Sequence, residues 1–199
     1  MKDKIFAETF RLVSRYGIRV MNMDNLAKEM NVSKKTIYQY YKNKDALITD
    51  CVEHIIAGLN DRIAETVAGD NNPLTKLCDI YSFSLEVILQ LPPVFFFDLR
   101  KYHPTANKVM QEFRENLVFV HVTKLLEEAR KEDLLLDNAD IDFVCGIHFF
   151  RILEIIESMY ARQHIHNHDA LFDALIVNSL RGILKSNHMH LLDHYKRKL

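Results

Sequence analysis

Only five glycines and four prolines punctuate these 199 residues, so long stretches carry nothing that would break a helix. A β-rich fold needs many turns, each with its own Gly, Pro or Asn chemistry, and a chain so poor in turn formers does not supply them. The apolar residues repeat at helical spacing instead. Ile5, Phe6, Thr9, Phe10, Val13 and Tyr16 share one face, and Gly17 is placed to end that helix. Asn22 heads a second, short helix with Leu26, Ala27 and Met30 on one side. Asn31, which tolerates the left-handed conformation, ends it. Ser33 caps a third helix from Lys34 to about Tyr41. Asn43 caps a fourth, in which Ile48, Val52, Ile55, Ile56, Leu59 and Ile63 form one apolar stripe.

The run Gly69-Asp70-Asn71-Asn72-Pro73 reads as a linker. Beyond it, residues 74–91 are apolar on most sides and suit a central helix, and Pro92-Pro93 ends it. Further helices are expected over 94–102, from His103-Pro104 to about Lys131, over 139–163, and over 168–186, followed by a short basic tail with Lys196, Arg197 and Lys198. The expected fold is therefore all-α.

The formal net charge of −1 hides a segregation. Residues 1–50 carry ten Lys and Arg against six Asp and Glu, whereas residues 51–199 carry sixteen against twenty-one. A basic head on an acidic body suits a small polyanion-binding module joined to something else. Cys51, Cys78 and Cys145 lie far apart in apolar stretches, forming neither a disulfide framework nor a C-x-x-C site, so a reducing cytoplasm is expected. The opening MKDKIFAETF lacks the apolar core of a secretory signal, and no stretch approaches 18 uninterrupted apolar residues, so no membrane association is expected.

A helix that reads DNA must be short, apolar on its supporting side and rich in donors on the other, because base edges and phosphates present mostly acceptors. Ser33-Lys34-Lys35-Thr36-Ile37-Tyr38-Gln39-Tyr40-Tyr41 meets those demands: Lys34, Lys35, Thr36, Tyr38 and Gln39 supply donors, while Ile37 and Tyr41 face inward. Lys44 adds a further cation at the start of the next helix.

Here the sequence resembles the TetR family of transcriptional regulators. The matching residues are Ile5, Ala7, Phe10, Gly17 and Met23-Asp24-Asn25-Leu26-Ala27, then Val32 through Tyr41 and Lys44-Asp45-Ala46-Leu47, over residues 5–48 without a gap. The resemblance implies DNA contacts at Lys34, Lys35, Thr36, Tyr38, Gln39, Tyr40 and Lys44, with Ser33 capping the reading helix and Asn22 where the family commonly has a capping Thr that touches phosphate. Asn31 stands in place of the usual turn Gly, Lys35 in place of a small residue, and Tyr41 in place of a Phe, whose added hydroxyl needs a partner. It further implies a three-helix helix-turn-helix DNA-binding domain at residues 1–46 and a helical effector-binding and dimerisation domain at 47–199. The partners implied are a double-stranded DNA operator and a second copy of the chain, docked through helices 139–163 and 168–186. Both helices carry surplus apolar residues: Phe143, Val144, Ile147, Phe150, Ile152, Leu153, Ile155, Ile156 and Met159 on the first, Leu171, Phe172, Leu175, Ile176, Leu180, Ile183 and Leu184 on the second.

An apolar effector is expected among the helices of residues 74–163. Phenylalanines 83, 95, 96, 97, 113, 149 and 150 are candidate lining, and Tyr81, Ser84, Glu86, His121 and His148 polar handles; Tyr81, Ser84, Phe96, Phe113, His121 and His148 form the expected contact set. The function so read is a homodimeric repressor released by a small apolar ligand. The alternatives are a metal-responsive regulator and a ligand-independent DNA-binding regulator or activator. His164, His166 and His168, with His188, His190 and His194, invite the metal reading, but no Cys or acidic residue stands at a ligand spacing, so no metal and no cofactor is expected. Cys145 and His148 lie three apart on a helix with no orienting acid, and no phosphate loop or nucleophile elbow is present, so no enzyme is expected.

Overall fold

The computed structural model describes residues 1–158 and 168–195, and every regular element among them is helical. Two compact units result: Met1–Asn60 with Gln90–Phe113, and Asp61–Leu89 with Arg114–Leu199. In the first, α1 (Lys2–Tyr16), α2 (Met23–Glu29) and α3 (Lys34–Tyr38) surround the opening turns of α4 (Lys44–Ala68). Ile5 and Val13 of α1, Leu26 of α2, Ile37 of α3 and Val52 of α4 are wholly buried. Each such side chain removed from water contributes about 2 kcal/mol, which is what holds three short helices that would not persist alone. The α4 stripe is buried throughout, from Ile48 to Ile63.

α1 stops at Gly17, whose φ of +79° is open to glycine and strained for a side chain. The space is closed as well: a β-carbon there would lie 2.8 Å from Cγ1 of Val94, on α6 (Pro93–Tyr102). Two residues on, the Arg19 amide donates to the carboxylate of Asp98 at 2.9 Å. α6 thus seals the loop after α1 from a position 79 residues further along. α3 is shorter than its sequence suggests. It ends at Tyr38, because the Tyr40 and Tyr41 amides both turn back to the Ile37 carbonyl.

In the second unit α5 (Pro73–Leu89) is central, with Leu74, Leu77, Cys78, Ile80 and Tyr81 among its buried residues. α7 (Pro104–Asn116), which begins in the first unit, runs through a π-helical segment, Leu117–Val122, directly into α8 (Thr123–Lys131). Asp140 caps α9 (Ile141–Glu157), its carboxylate accepting the Phe143 amide at 3.0 Å. α10 (His168–Phe172), a second π segment (Asp173–Val177) and α11 (Asn178–Arg181) follow, and a 3₁₀ stretch, Ser186–Tyr195, comes last. No single helix among the described residues is long and apolar enough to cross a membrane.

Two expected helices end early. The one expected over 139–163 stops at Glu157, where Ser158 turns extended at ψ 113°; Met159 to Gln163 lie outside the described residues. The one expected over 168–186 stops at Arg181. There the chain turns at Gly182 and pairs with residues 134–136 instead, Leu136 N to Ile183 O at 2.8 Å and Lys185 N to Leu134 O at 3.0 Å. Those backbone bonds are incompatible with helix, and Lys185 reinforces them through ion pairs to Asp133 and Asp137 at 2.6 and 3.2 Å. His164, His166 and the basic tail Lys196-Arg197-Lys198 lie outside the described residues. A boundary at 46/47 falls in the first turn of α4, whereas the compact units divide α4 after Asn60 and group residues 90–113 with the head.

Replacing Gly17 with Val combines positive-φ strain with the Val94 clash. It is expected to lower unfolding free energy by at least about 2 kcal/mol in urea titrations. Gly58→Ala, on α4 where a β-carbon meets nothing within 4 Å, is expected to raise it by about 0.5–1 kcal/mol. Equal effects of the two substitutions would refute this account of the loop.

Candidate functional site

Local hydrogen bonds build the turn between α2 and α3. The Asn22 side chain accepts the Asn25 amide at 2.8 Å and starts α2. At its end Asn31 takes φ +52°, its amide bonds Lys28 O at 3.1 Å, and the Val32 amide bonds Ala27 O at 3.0 Å. This nested pair satisfies the last carbonyls, and an asparagine does here what a glycine more often does. Ser33 Oγ accepts the Thr36 amide at 3.1 Å and starts α3. With both ends capped and Ile37 and Tyr41 buried beneath, the direction of α3 is determined. Its other side is open: Lys34, Lys35, Tyr38, Gln39 and Tyr40 are exposed and Thr36 half-buried. Lys34 Nζ lies 2.7 Å from Asp24, a bond that raises its pKa. Both partners are in solvent, so the pair is weak and readily exchanged for a stronger anion.

Lys44 is placed differently from the other cations. Its ammonium donates to the carbonyls of Ile18 at 2.7 Å and Met21 at 2.5 Å, using two of three donors on the α1–α2 loop. Burial lowers its pKa, and the nearby Asp98 carboxylate partly offsets that. The Tyr41 hydroxyl finds its partner in Asp50, donating at 2.5 Å; burial and this bond push its pKa up. His103, at the C-terminal end of α6, places Nδ1 2.9 Å from Asp45. Asp98 and His103 escape a reading by sequence spacing. The available signal was a lone carboxylate inside the apolar run Val94-Phe95-Phe96-Phe97-Asp98-Leu99.

In the second unit Tyr81 of α5 and His148 of α9, both buried, meet with the phenol oxygen 3.3 Å from Nδ1. Burial, with the Arg151 charge adding to it, lowers the His148 pKa to about 4, and burial raises that of Tyr81. His148 Nε2 and Ser84 Oγ are buried without a hydrogen-bond partner. His121 is half-buried on the π segment, its pKa lowered by burial and by Lys124. Phe96 and Phe113 are buried too, but within the first compact unit, so the six expected contact residues are split between the two. Phe97 and Phe150 do not line an interior: they are 46% and 67% exposed, Phe97 lying under the Lys101 ammonium and Phe150 edge-on to Phe149. Burial pushes the Cys51 and Cys78 thiols up to about 12, and Cys145 rests 3.4 Å from the Thr123 hydroxyl. Among the described residues no three His, Cys, Asp or Glu side chains converge as metal ligands.

α9 carries a further feature. Phe143, Ile147 and Phe150, at i, i+4 and i+7, are 65%, 40% and 67% exposed, and Phe119 and Val120 of the π segment are exposed as well. The two stretches touch through the Phe119 and Phe149 rings, 5.3 Å apart.

A capped helix-turn-helix with a donor-rich second helix, in a basic segment heading an all-α chain, is the arrangement of a DNA-binding transcriptional regulator. Residues 5–51 match the family described as bacterial regulatory proteins, tetR family, so this segment is similar to the DNA-binding domain of those regulators. The chain is 26% identical over 184 residues to the uncharacterized HTH-type transcriptional regulator YvaF of Bacillus subtilis (strain 168), covering 92% of this chain and 95% of that one. It is 25% identical over 132 residues to the biofilm operon icaADBC HTH-type negative transcriptional regulator IcaR of Staphylococcus aureus (strain Newman), covering 66% and 67%. Among solved structures, the transcriptional regulator FadR of Bacillus subtilis in complex with stearoyl-CoA superimposes with a TM-score of 0.73 over 92% of this chain and all of that one, at 17% identity, a likeness of fold.

The buried imidazole carries a pH signature. Because its folded pKa of about 4 lies below the ordinary 6.5, the unfolded chain binds the proton more readily. Stability is thus complete above about pH 6.5 and falls as pH drops toward 4, by at most about 3 kcal/mol from this group. In chemical denaturation at pH 7.5, 6 and 5, His148→Gln should flatten that decline; an unchanged slope contradicts the burial of a neutral imidazole.

Proposed function

We propose that this chain is a homodimeric repressor that leaves its operator when an apolar small molecule occupies the second unit. One observation carries the DNA-binding part: a reading helix fixed by caps at both ends of its turn, with its donors together on the open side. Lys34, Lys35, Thr36, Tyr38 and Gln39 would enter the major groove, with Asn22, Ser33 and Tyr40 on the flanking backbone. Lys44 would act mainly by clamping the α1–α2 loop, with one donor left for a phosphate. In this reading residues 1–46 carry DNA binding, residues 47–199 effector binding and dimerisation, and the protein works in the cytoplasm.

The exposed α9 face supports the dimer, since a soluble monomer does not leave three large apolar residues of one helix in water. Leu171, Leu175, Ile176 and Leu180 of the other expected helix are buried within their own protomer, so the weight of the interface falls on α9 and on Phe119 and Val120. Two heads on one symmetric dimer reach two half-sites a helical turn apart. The name of IcaR, a negative regulator, and the stearoyl-CoA held by FadR support repression and an apolar effector.

Electrophoretic mobility shifts on the DNA upstream of the chain's own gene, over a salt series, test the reading. Affinity should fall steeply with salt, and Lys34→Ala and Lys35→Ala should each flatten the log–log slope by about 0.9. No binding at any salt would sink it. Sedimentation tests the interface: Phe143→Glu with Phe150→Glu should yield a monomer, and a persisting dimer would place the interface elsewhere.

A further inference from the structure

We propose, building on the effector reading, that His148 and Ser84 form the hydrogen-donating end of the effector site. It selects an apolar molecule bearing one neutral acceptor oxygen (a ketone, ester or amide carbonyl) over an organic cation or a plain hydrocarbon. Proton bookkeeping on a closed cluster leads there. The Tyr81 phenol is buried and neutral, with one proton to give, and it lies 3.3 Å from His148 Nδ1. The imidazole is neutral too, with one N–H. If Nδ1 held that proton, the phenol hydrogen and the bare Nε2 would both lack partners. If the phenol donates to Nδ1, only Nε2–H is left over. The second arrangement strands fewer buried groups, so Nε2 is a donor awaiting an acceptor.

Ser84 stands one helical turn beyond Tyr81 on the same side of α5, 3% exposed, and its hydroxyl makes no hydrogen bond, not even back to its own helix. Two elements of the second unit, α5 and α9, therefore each present a buried polar atom without a hydrogen-bond partner, Ser84 Oγ and His148 Nε2. Cys145, one turn before His148 on α9, is engaged with the Thr123 hydroxyl at 3.4 Å. The nearby charge is positive: Arg151 is close enough to disfavour protonation of His148, a field that attracts the negative end of a carbonyl and repels a cation. Arg151 is itself exposed and so leaves a buried carboxylate without a direct counter-ion. An acceptor oxygen without full charge is what remains.

Full-length protein labelled with ¹⁵N-histidine is titrated with 2-decanone, with its isosteric alkene carrying C=CH₂ in place of C=O, and with decylammonium, reading melting temperature and the His148 ring resonances. 2-Decanone should bind about tenfold tighter than the alkene and shift a protonated Nε2 signal. Ser84→Ala and His148→Leu should each remove most of that preference while ligand-free operator binding persists in mobility shifts, which separates lost recognition from lost folding. Equal binding of ketone and alkene, or tighter binding of decylammonium, overturns this proposal and leaves an apolar effector site standing. Binding of none of the three overturns it together with the effector reading.

Discussion

The Asp98 carboxylate, buried at the backbone of residue 19, is the contact on which the head depends. A charge in that position is costly to desolvate, and two features offset the cost: the Arg19 amide and the field of Lys44; Gly17, lacking a β-carbon, leaves room for Val94 beside them. Lys44 works on the same loop with the opposite sign, donating to carbonyls where Asp98 accepts an amide. The peptide groups between α1 and α2 are thus held by two side chains far apart in sequence. The helix that follows starts from a defined place. α3, only five residues long, inherits its orientation from that chain of constraints.

The contribution of α6 explains why the head is more than the three helices its motif describes. Asp98 reaches the loop, His103 reaches Asp45 at the start of α4, and Val94 fills the space beside Gly17. None of these residues lies within the segment that resembles the family. A change in α6 therefore acts on the loop behind the reading helix without touching the exposed donors.

Local features were legible from the residues alone. Asn22, Ser33, Asn43 and Asp140 each accept the amide three residues on, as their chemistry dictates, and the α4 stripe is buried as its period demands. What escaped depends on partners distant in the chain. The helix ending at Arg181 gives way to pairing with residues 134–136, and no local signal at Leu184 announces that. Aromatic composition could not separate inside from outside: Phe95 and Phe96 are buried, while Phe97, the next residue, is half in water. The π segments likewise come from packing, which turns Phe119 and Val120 outward between buried Val118 and Val122. Of the polar handles, Tyr81 and His148 do meet; that meeting joins α5 to α9 across 67 residues, beyond the reach of any local spacing.

The three thiols have a consequence for the kind of signal such a regulator answers. Cys51, Cys78 and Cys145 are all buried, and burial holds each as the protonated thiol. Peroxides, quinones and alkylating agents attack the thiolate, so each cysteine would first have to shed a proton into an apolar interior. Burial thereby shields these three cysteines from thiolate chemistry. Under the proposed effector reading, the signal would be held by shape and reversible contact, and its loss alone would reset the protein.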